Sequence, residues 1–273
     1  MTWKPRSSSL GGYFNCDFRA AFDRAIAGGL LDEIPQEPSP YADFGTCCHY
    51  KLQTSVGATF PDGNHAPSPE QRAVAASLHA DGKLDEMIDK VAHCARAALP
   101  VSPDGKPWLA ETEFKLPIIS GHIDFLSQDY STIGDLKTTS RKPDHQRLKP
   151  EHLWQGIAYK IGVTRKFGVE PKNLWYLYAD SLRGQWAMLV NVDLHSPEMR
   201  ELEQHALEYI KYLRSKRLFK EARPRMGMHC SAGFCPHVSR CKDRFVPPST
   251  TIIEAPAPVA TTPAVSNFLK PKG

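Results

Sequence analysis

The hydrophobic positions of this chain fall into blocks whose period changes along its length. In "FNCDFRAAFDRAIAGG", residues 14–29, they recur at helical spacing and stop at Gly28-Gly29, which predicts a helix with a glycine terminus. "ADFGTCCHYKLQTSV", residues 42–56, predicts a second helix, and residues 57–67 form a loop rich in Gly, Pro and Asn. Ser68-Pro69-Glu70-Gln71 then supplies an N-cap, a first-turn proline and a capping-box glutamine. The helical pattern that follows runs towards residue 98, with a break at Gly82. Strand-like segments come next, near 109–116, 118–127 and 132–139. A helix is predicted over 150–168, from Pro150 to Gly168, then strands over 172–180 and 185–193 with a turn at Arg183-Gly184. Ser196-Pro197-Glu198 opens a last helix whose apolar stripe is Met199, Leu202, Ala206, Ile210 and Leu213. The order is helices, three strands, a helix, two strands and a helix, so the expected fold class is α+β around a mixed sheet.

The two ends depart from this pattern. Residues 1–12 are polar and rich in Gly and Ser, and are expected to be flexible. Residues 246–273 are rich in Pro, Ala and Thr, a composition that cannot bury a core, and are expected to be a disordered tail or a tether for a partner. One folded domain is therefore expected over residues 13–245.

Composition narrows the class. The 273 residues are 41% hydrophobic and 23% charged, as in soluble globular proteins. There is no apolar run of membrane-spanning length and no apolar signal core near the N-terminus, which points to a cytoplasmic protein without membrane partners. The net charge of +4 is too small to argue for nucleic acid by itself. Seven cysteines without an export signal argue against a disulfide framework.

Candidate chemistry concentrates in "GHIDFLSQDYSTIGDLKTTS", residues 121–140. Asp124 and Asp135 lie on strand-like segments, and Lys137 shares a face with Asp135 because side chains alternate along a strand. If the two strands pair, the carboxylates stand side by side, where they repel unless a cation or a proton intervenes. A hard divalent ion with oxygen ligands suits that arrangement, and a neighbouring lysine suits a phosphodiester substrate. The same charges would also suit the solvated side of a hairpin.

Five pieces in order change this picture. "FGTCCHYKLQ", "ETEFKLP", "GHIDF", "GDLKTT" and "QGIAY" resemble, in turn, the Gly-x-x-x-His helix, the acidic strand, the Gly-x-x-Asp strand, the Asp-x-Lys-Thr strand and the Gln-x-x-x-Tyr helix of the RecB-like branch of the PD-(D/E)xK nuclease superfamily. The resemblance covers roughly residues 7–245. It implies a restriction-endonuclease-like core, a central mixed sheet flanked by helices. It implies that His49, Asp124 and Asp135, with the Leu136 carbonyl, hold Mg2+ or Mn2+. Lys137 would act on the attacking water, and Gln155 and Tyr159, one helical turn apart, would support the site and the substrate strand. On the acidic strand Glu111 and Glu113 are both candidates, with Glu111 favoured by its spacing to Phe114 and given a supporting or water-mediated role. The implied activity is metal-dependent DNA hydrolysis, as an exonuclease in recombination, repair or processing in a bacterium or phage. An endonuclease or a CRISPR spacer-processing nuclease would carry the same motifs, and a non-catalytic nucleic-acid-binding or scaffold subunit is the reading from another class. The chain carries no Gly-x-x-x-x-Gly-Lys-Ser/Thr motor loop, so it would act alone or beside a helicase or recombination protein, on linear or single-stranded DNA ends.

Cys230, Cys235 and Cys241 lie within twelve residues, and three thiolates need a fourth ligand for a tetrahedral centre. "SSSLGGYFNCDFR" resembles the opening of RecB-like nucleases with an iron–sulfur domain, such as CRISPR-associated exonucleases and AddB-type nuclease domains. Those proteins place one cysteine before the core and three after it. The resemblance implies a [4Fe–4S] cluster on Cys16, Cys230, Cys235 and Cys241, forming a cap from Cys16 and residues 225–245. The family's first spacing in the trio is usually shorter than the four residues between Cys230 and Cys235. Zn2+ is the competing ion, with His229 or His237 as fourth ligand. Cys47, Cys48 and Cys94 read as small buried residues. Lys115, Arg141, Lys142, Arg147 and Lys149 are candidate phosphate contacts, or a solvated loop, and Trp154, Trp175 and Tyr176 candidate base-stacking aromatics, with the core as the favoured place for Trp175.

Overall fold

In this computed structural model, residues 3–33, 38–63, 65–79, 81–143 and 148–222 are described, together with His237 and Cys241. Helices α1 (Ser7–Asn15), α2 (Asp17–Ala27), α3 (Pro40–Ser55), α4 (Pro69–Ala76) and α5 (Leu84–Ala98) precede strands β1 (Leu109–Lys115), β2 (Ser120–Leu126) and β3 (Thr132–Thr139). Then follow α6 (Pro150–Phe167), β4 (Asn173–Asp180), β5 (Ala187–Asp193), α7 (Pro197–Arg214) and α8 (Arg217–Glu221). The starts of these helices are written in the sequence. Ser39, Ser68 and Ser196 each accept a first-turn amide with a proline just inside, and Ser68 and Gln71 close a capping box. Gly168 ends α6 in the left-handed conformation at φ 73°.

The five strands form one sheet in the order β1-β2-β3-β4-β5, antiparallel throughout except for the parallel pair β3 and β4. That pair needs a crossover, which α6 supplies. Helices cover both faces. Leu10, Phe114, Ile157, Tyr159 and Tyr176 belong to one core layer, shared by α1, α6 and α7, while Phe44, Leu52, Val91, Leu136 and Trp175 belong to the other, shared by α3, α4 and α5. The architecture is the mixed sheet flanked by helices that the element order predicts. Among the described residues no helix is long and apolar enough to cross a membrane.

Four readings need correction. Residues 7–12, expected to be loose, belong to α1, with Ser7, Leu10 and Gly11 buried. The reason is a close helix contact: a Cβ on Gly11 would meet the Glu151 Cα of α6 at 2.6 Å, so only glycine admits the approach. The single helix predicted from Phe14 is broken at Cys16, whose extended backbone both ends α1 and caps α2. Regular strand alternation would put Ile123 and Phe125 on one face with Asp124 opposite, but the two pack in opposite core layers. Beside the break, Glu111 on β1 has φ 50°, a rare conformation for a side-chain-bearing residue. Finally, Trp154 and Tyr176 are buried, so neither offers a ring to a nucleobase, while Trp175 lies in the core, the place favoured for it. Trp154 instead stacks on Phe14, with ring centroids 4.5 Å apart. Cys47 and Cys48 are buried as expected, while Cys94 is only half-buried.

Candidate active site

Three strands bring their acidic residues to one level of the sheet. Register pairs Ala110 with Phe125 and Thr112 with Ile123, which sets Glu111 opposite Asp124. Phe125 pairs with Gly134, so one step back along β2 sets Asp124 opposite Asp135. The break in alternation turns Asp124 towards α3, where His49 Nδ1 lies 3.2 Å from its Oδ2. The same carboxylate oxygen accepts the Leu136 amide at 2.9 Å. Ligand atoms of His49, Glu111 and Asp124 all lie within 4.8 Å of one another.

Gln53 holds this group in place. Its Nε2 donates to Glu111 Oε1 at 2.8 Å and to the Asp124 carbonyl at 3.0 Å. It stands four residues after His49, on the same face of α3, and that spacing was the signal available in the sequence. Of the two acidic candidates on β1, Glu111 joins the group; Glu113 instead pairs with Lys115 at 2.7 Å and His122 at 3.4 Å.

Asp135 is fully buried and faces the α6 side with Tyr159 and Tyr176. Lys137 Nζ lies 2.7 Å from its Oδ2, and the Tyr159 hydroxyl donates to its Oδ1 at 3.2 Å. Lys137 also donates to Gln155 Oε1 at 2.9 Å, and Gln155 Nε2 donates to Tyr159 at 2.5 Å. Lys137, Gln155, Tyr159 and Asp135 thus close a ring in which the amide orientation of Gln155 is fixed by its neighbours. The ion set implied by the resemblance therefore divides. His49 and Asp124 gather with Glu111, whereas the Asp135 carboxylate is engaged by Lys137 and Tyr159, because alternation along β3 places it on their side. The Leu136 main chain reaches both His49 and Asp124, while its side chain is in the core.

Electrostatics follow from this crowding. Burial, then the charges of Asp135 and Glu111, push the Asp124 carboxyl well above the usual carboxylate range. Burial holds the His49 imidazole below its ordinary pKa, opposed by Glu111 and Asp135, which favours the neutral form that a metal needs. Tyr159 is pushed far up by burial and by Asp135, so it remains a donor. Three carboxylates and an imidazole around one lysine leave negative charge that a proton or a divalent cation can offset. Mixed oxygen and imidazole donors at this spacing suit a divalent cation. His152 stands behind Lys137: its Nδ1 is 2.7 Å from the Tyr178 hydroxyl, and burial and Lys137 lower its pKa to about 4. Nothing in the sequence pattern singled it out.

The group opens into a cavity of about 540 Å3 that includes Arg6, Ser7, Lys115 and His122 besides His49, Asp124, Asp135 and Lys137. Arg141, Lys142 and Lys149 are exposed, and Arg147 lies outside the described residues.

Of the four cysteines proposed as a cluster, Cys230 and Cys235 lie outside the described residues, as does His229. Cys16 is half-buried between α1 and α2. His237 packs on the next turns of α2, its ring stacked on Phe22 with centroids 4.9 Å apart and its Nε2 2.6 Å from Asp23 Oδ1. That contact leaves only Nδ1 of His237 for a metal. The Cys241 amide donates to the His237 carbonyl at 2.9 Å.

A row of carboxylates with a lysine on the central strand of a mixed sheet is the arrangement of a class of phosphodiester-cleaving proteins, and a family model agrees. The family model described as the PD-(D/E)XK nuclease superfamily matches residues 7–242, and the chain belongs to that family. Among solved structures, the chain resembles an exonuclease candidate from Eubacterium rectale at 10% identity and a TM-score of 0.46, over 82% of this chain and 91% of that one. It also resembles a phage-related exonuclease from Haemophilus somnus 129PT at 14% identity and a TM-score of 0.37, over 81% and 97% of the two chains. No curated protein matches the sequence.

Proposed function

We propose that this nuclease is a metal-dependent DNA exonuclease. The observation that carries the reading is the gathering of His49, Glu111 and Asp124 beside the Asp135–Lys137 ion pair in one cavity. His49, Glu111 and Asp124 would hold Mg2+ or Mn2+, with Asp135 and the Leu136 carbonyl next to them. A divalent ion bound there would polarise a phosphoryl oxygen and acidify a water. The chain's own residues do the rest. Lys137 has three donor hydrogens; it donates to Gln155 and is ion-paired with Asp135, which leaves donor capacity to orient the attacking water or to meet charge developing on the phosphate. Gln155 and Tyr159 keep the ammonium aimed, and Gln53 keeps Glu111 in place.

Exonuclease action is what the ordered motifs imply. Digestion of linear against covalently closed circular DNA, with Mn2+, tests it: the linear form should disappear from its ends while the circle persists. Rapid cutting of the circle would favour an endonuclease of the same fold. No cutting of either would favour a nucleic-acid-binding subunit, against which the presence of His49, Asp124, Asp135 and Lys137 together stands.

Membership of the RecB-like branch and a [4Fe–4S] cluster on Cys16, Cys230, Cys235 and Cys241 belong to the same proposal. The docking of His237 on α2 supports them, since this residue, between Cys235 and Cys241 in the sequence, lies against the helix that Cys16 caps.

A further inference from the structure

The first turn of α1 opens into the same cavity as the carboxylates and has no assigned role. Its start is fixed to the sheet. Arg6 bridges Ser120 of β2 in parallel, and the Ser120 amide donates to the Pro5 carbonyl at 3.1 Å. α1 has nine residues, no side-chain cap at Arg6 and no acidic residue in its first turn. Its positive end is therefore not answered by this helix's own side chains.

Two further observations single the place out. Ser7 is only 2% exposed and lines the cavity, yet its hydroxyl has no hydrogen-bond partner among the described residues. The small part of Ser7 that is not buried faces the cavity, so its hydroxyl is free to donate to a ligand oxygen there. Gly121 makes room for it, since a Cβ there would lie 2.1 Å from the Ser7 Oγ. Arg6 is exposed, lines the cavity and forms no ion pair among the described residues, whereas Lys115 in the same cavity is already matched by Glu113 at 2.7 Å.

We propose that Arg6, Ser7 and Ser8 at the start of α1 form a subsite for a non-scissile phosphate of the substrate strand. The guanidinium, the buried hydroxyl and the uncapped amides supply donors of the kind that hold phosphate oxygens. The Asp135–Lys137 pair lines the same cavity, so a strand with a phosphate seated on α1 shares that cavity with the carboxylates. This rests on reading the cavity as the nuclease site. The phosphate is either the terminal monoester of a strand end or an internal diester.

The test measures binding by the full-length protein carrying Asp135→Asn, so that cutting does not intervene. Probes are oligonucleotides with a 5′-phosphate, a 5′-hydroxyl or a 3′-phosphate, and a circular single strand. Arg6→Ala should weaken binding about tenfold and reduce the slope of log affinity against log salt by about one, as expected for one lost phosphate contact. Ser7→Ala should weaken binding about threefold, within the usual worth of one hydrogen bond. If Ser7→Ala fails to fold, exposed Arg6 still decides the matter. A loss confined to one phosphorylated end identifies a terminal monoester, and an equal loss on all probes, the circle included, identifies an internal diester. Parental affinity and salt slope in Arg6→Ala overturn the proposal. A parent protein that binds but cuts nothing with Mn2+ would refute the nuclease reading and leave the binding result to stand or fall by itself.

Discussion

Lys137 Nζ stands 2.7 Å from Asp135 Oδ2, two residues away on the same side of β3. The carboxylate is fully buried, so the lysine is both its counter-charge and the one basic side chain that the central strand aims into the cavity. Lys137→Ala or Asp135→Ala should lower cleavage of end-labelled linear DNA by at least about 100-fold while the far-ultraviolet dichroism stays native. Robust cutting by purified Asp135→Ala would sink the assignment.

The ring of Lys137, Gln155, Tyr159 and Asp135 should behave as a unit. Gln155→Ala and Tyr159→Phe should each reduce kcat about tenfold with little change in KM, and the double variant should lose scarcely more than either alone. Losses that multiply would mean that the two residues act independently. Tyr159→Phe should also destabilise the protein by about 1 kcal/mol, read from denaturant unfolding, because a buried hydrogen bond to Asp135 is removed.

Metal binding should be visible without catalysis. Mn2+ should raise Tm in the parent, and His49→Ala or Asp124→Asn should abolish most of that rise. EDTA should stop cleavage. Asp124 is pushed above the usual carboxylate range, so it holds a proton to higher pH than an ordinary carboxylate, and that proton competes with the ion for it. Affinity should therefore increase with pH, and calorimetry in buffers of different ionisation enthalpy should show proton release. Binding that tightens as pH falls would contradict the site.

His152 gives a pH signature of its own. Its pKa falls from 6.5 to about 4 on folding, chiefly through burial. Between those values the unfolded chain binds a proton that the folded chain refuses, so this residue makes stability decline as pH drops from about 6.5 towards 4. Above 6.5 it is neutral in both states and contributes no slope. His152→Asn should flatten the fall in Tm across that window, and an unchanged profile would show that another group is responsible.

Anaerobic purification should give a brown protein if the four thiolates hold iron and sulfide, and Cys16→Ala should bleach it and lower Tm. Cutting should fall only indirectly, since no catalytic group is lost. A colourless parent with one zinc per chain would replace the cluster by a site of cysteines and His229 or His237.

How much of this was legible beforehand depended on range. The β strands, the helix over Pro150–Phe167 and the lysine two residues past Asp135 follow from local periods, and the structure has them where the periods put them. The common level of Asp124 and Asp135 needed only strand pairing added to those periods, whereas Glu111 was reached through the family resemblance. α1 was missed because its Ser/Gly run becomes a helix through contact with α6, more than a hundred residues away. The change of face at Asp124 was missed because it accompanies one unusual backbone angle, at Glu111, which no side-chain pattern records. Gln53 and His152 act through tertiary hydrogen bonds alone.

The parallel pairing of β3 with β4 also sets a time at which activity can begin. When β3 has been synthesised, every carboxylate of the site and Lys137 already exist, but the edge of β3 away from β2 is still bare. Its partner is β4, which follows the whole of α6, and α6 brings Gln155 and Tyr159 with it. A nascent chain that has not passed Asp180 therefore holds the reactive groups without the frame that aligns them. The cutting centre is a late product of translation, assembled only when the sheet can close around its middle strand.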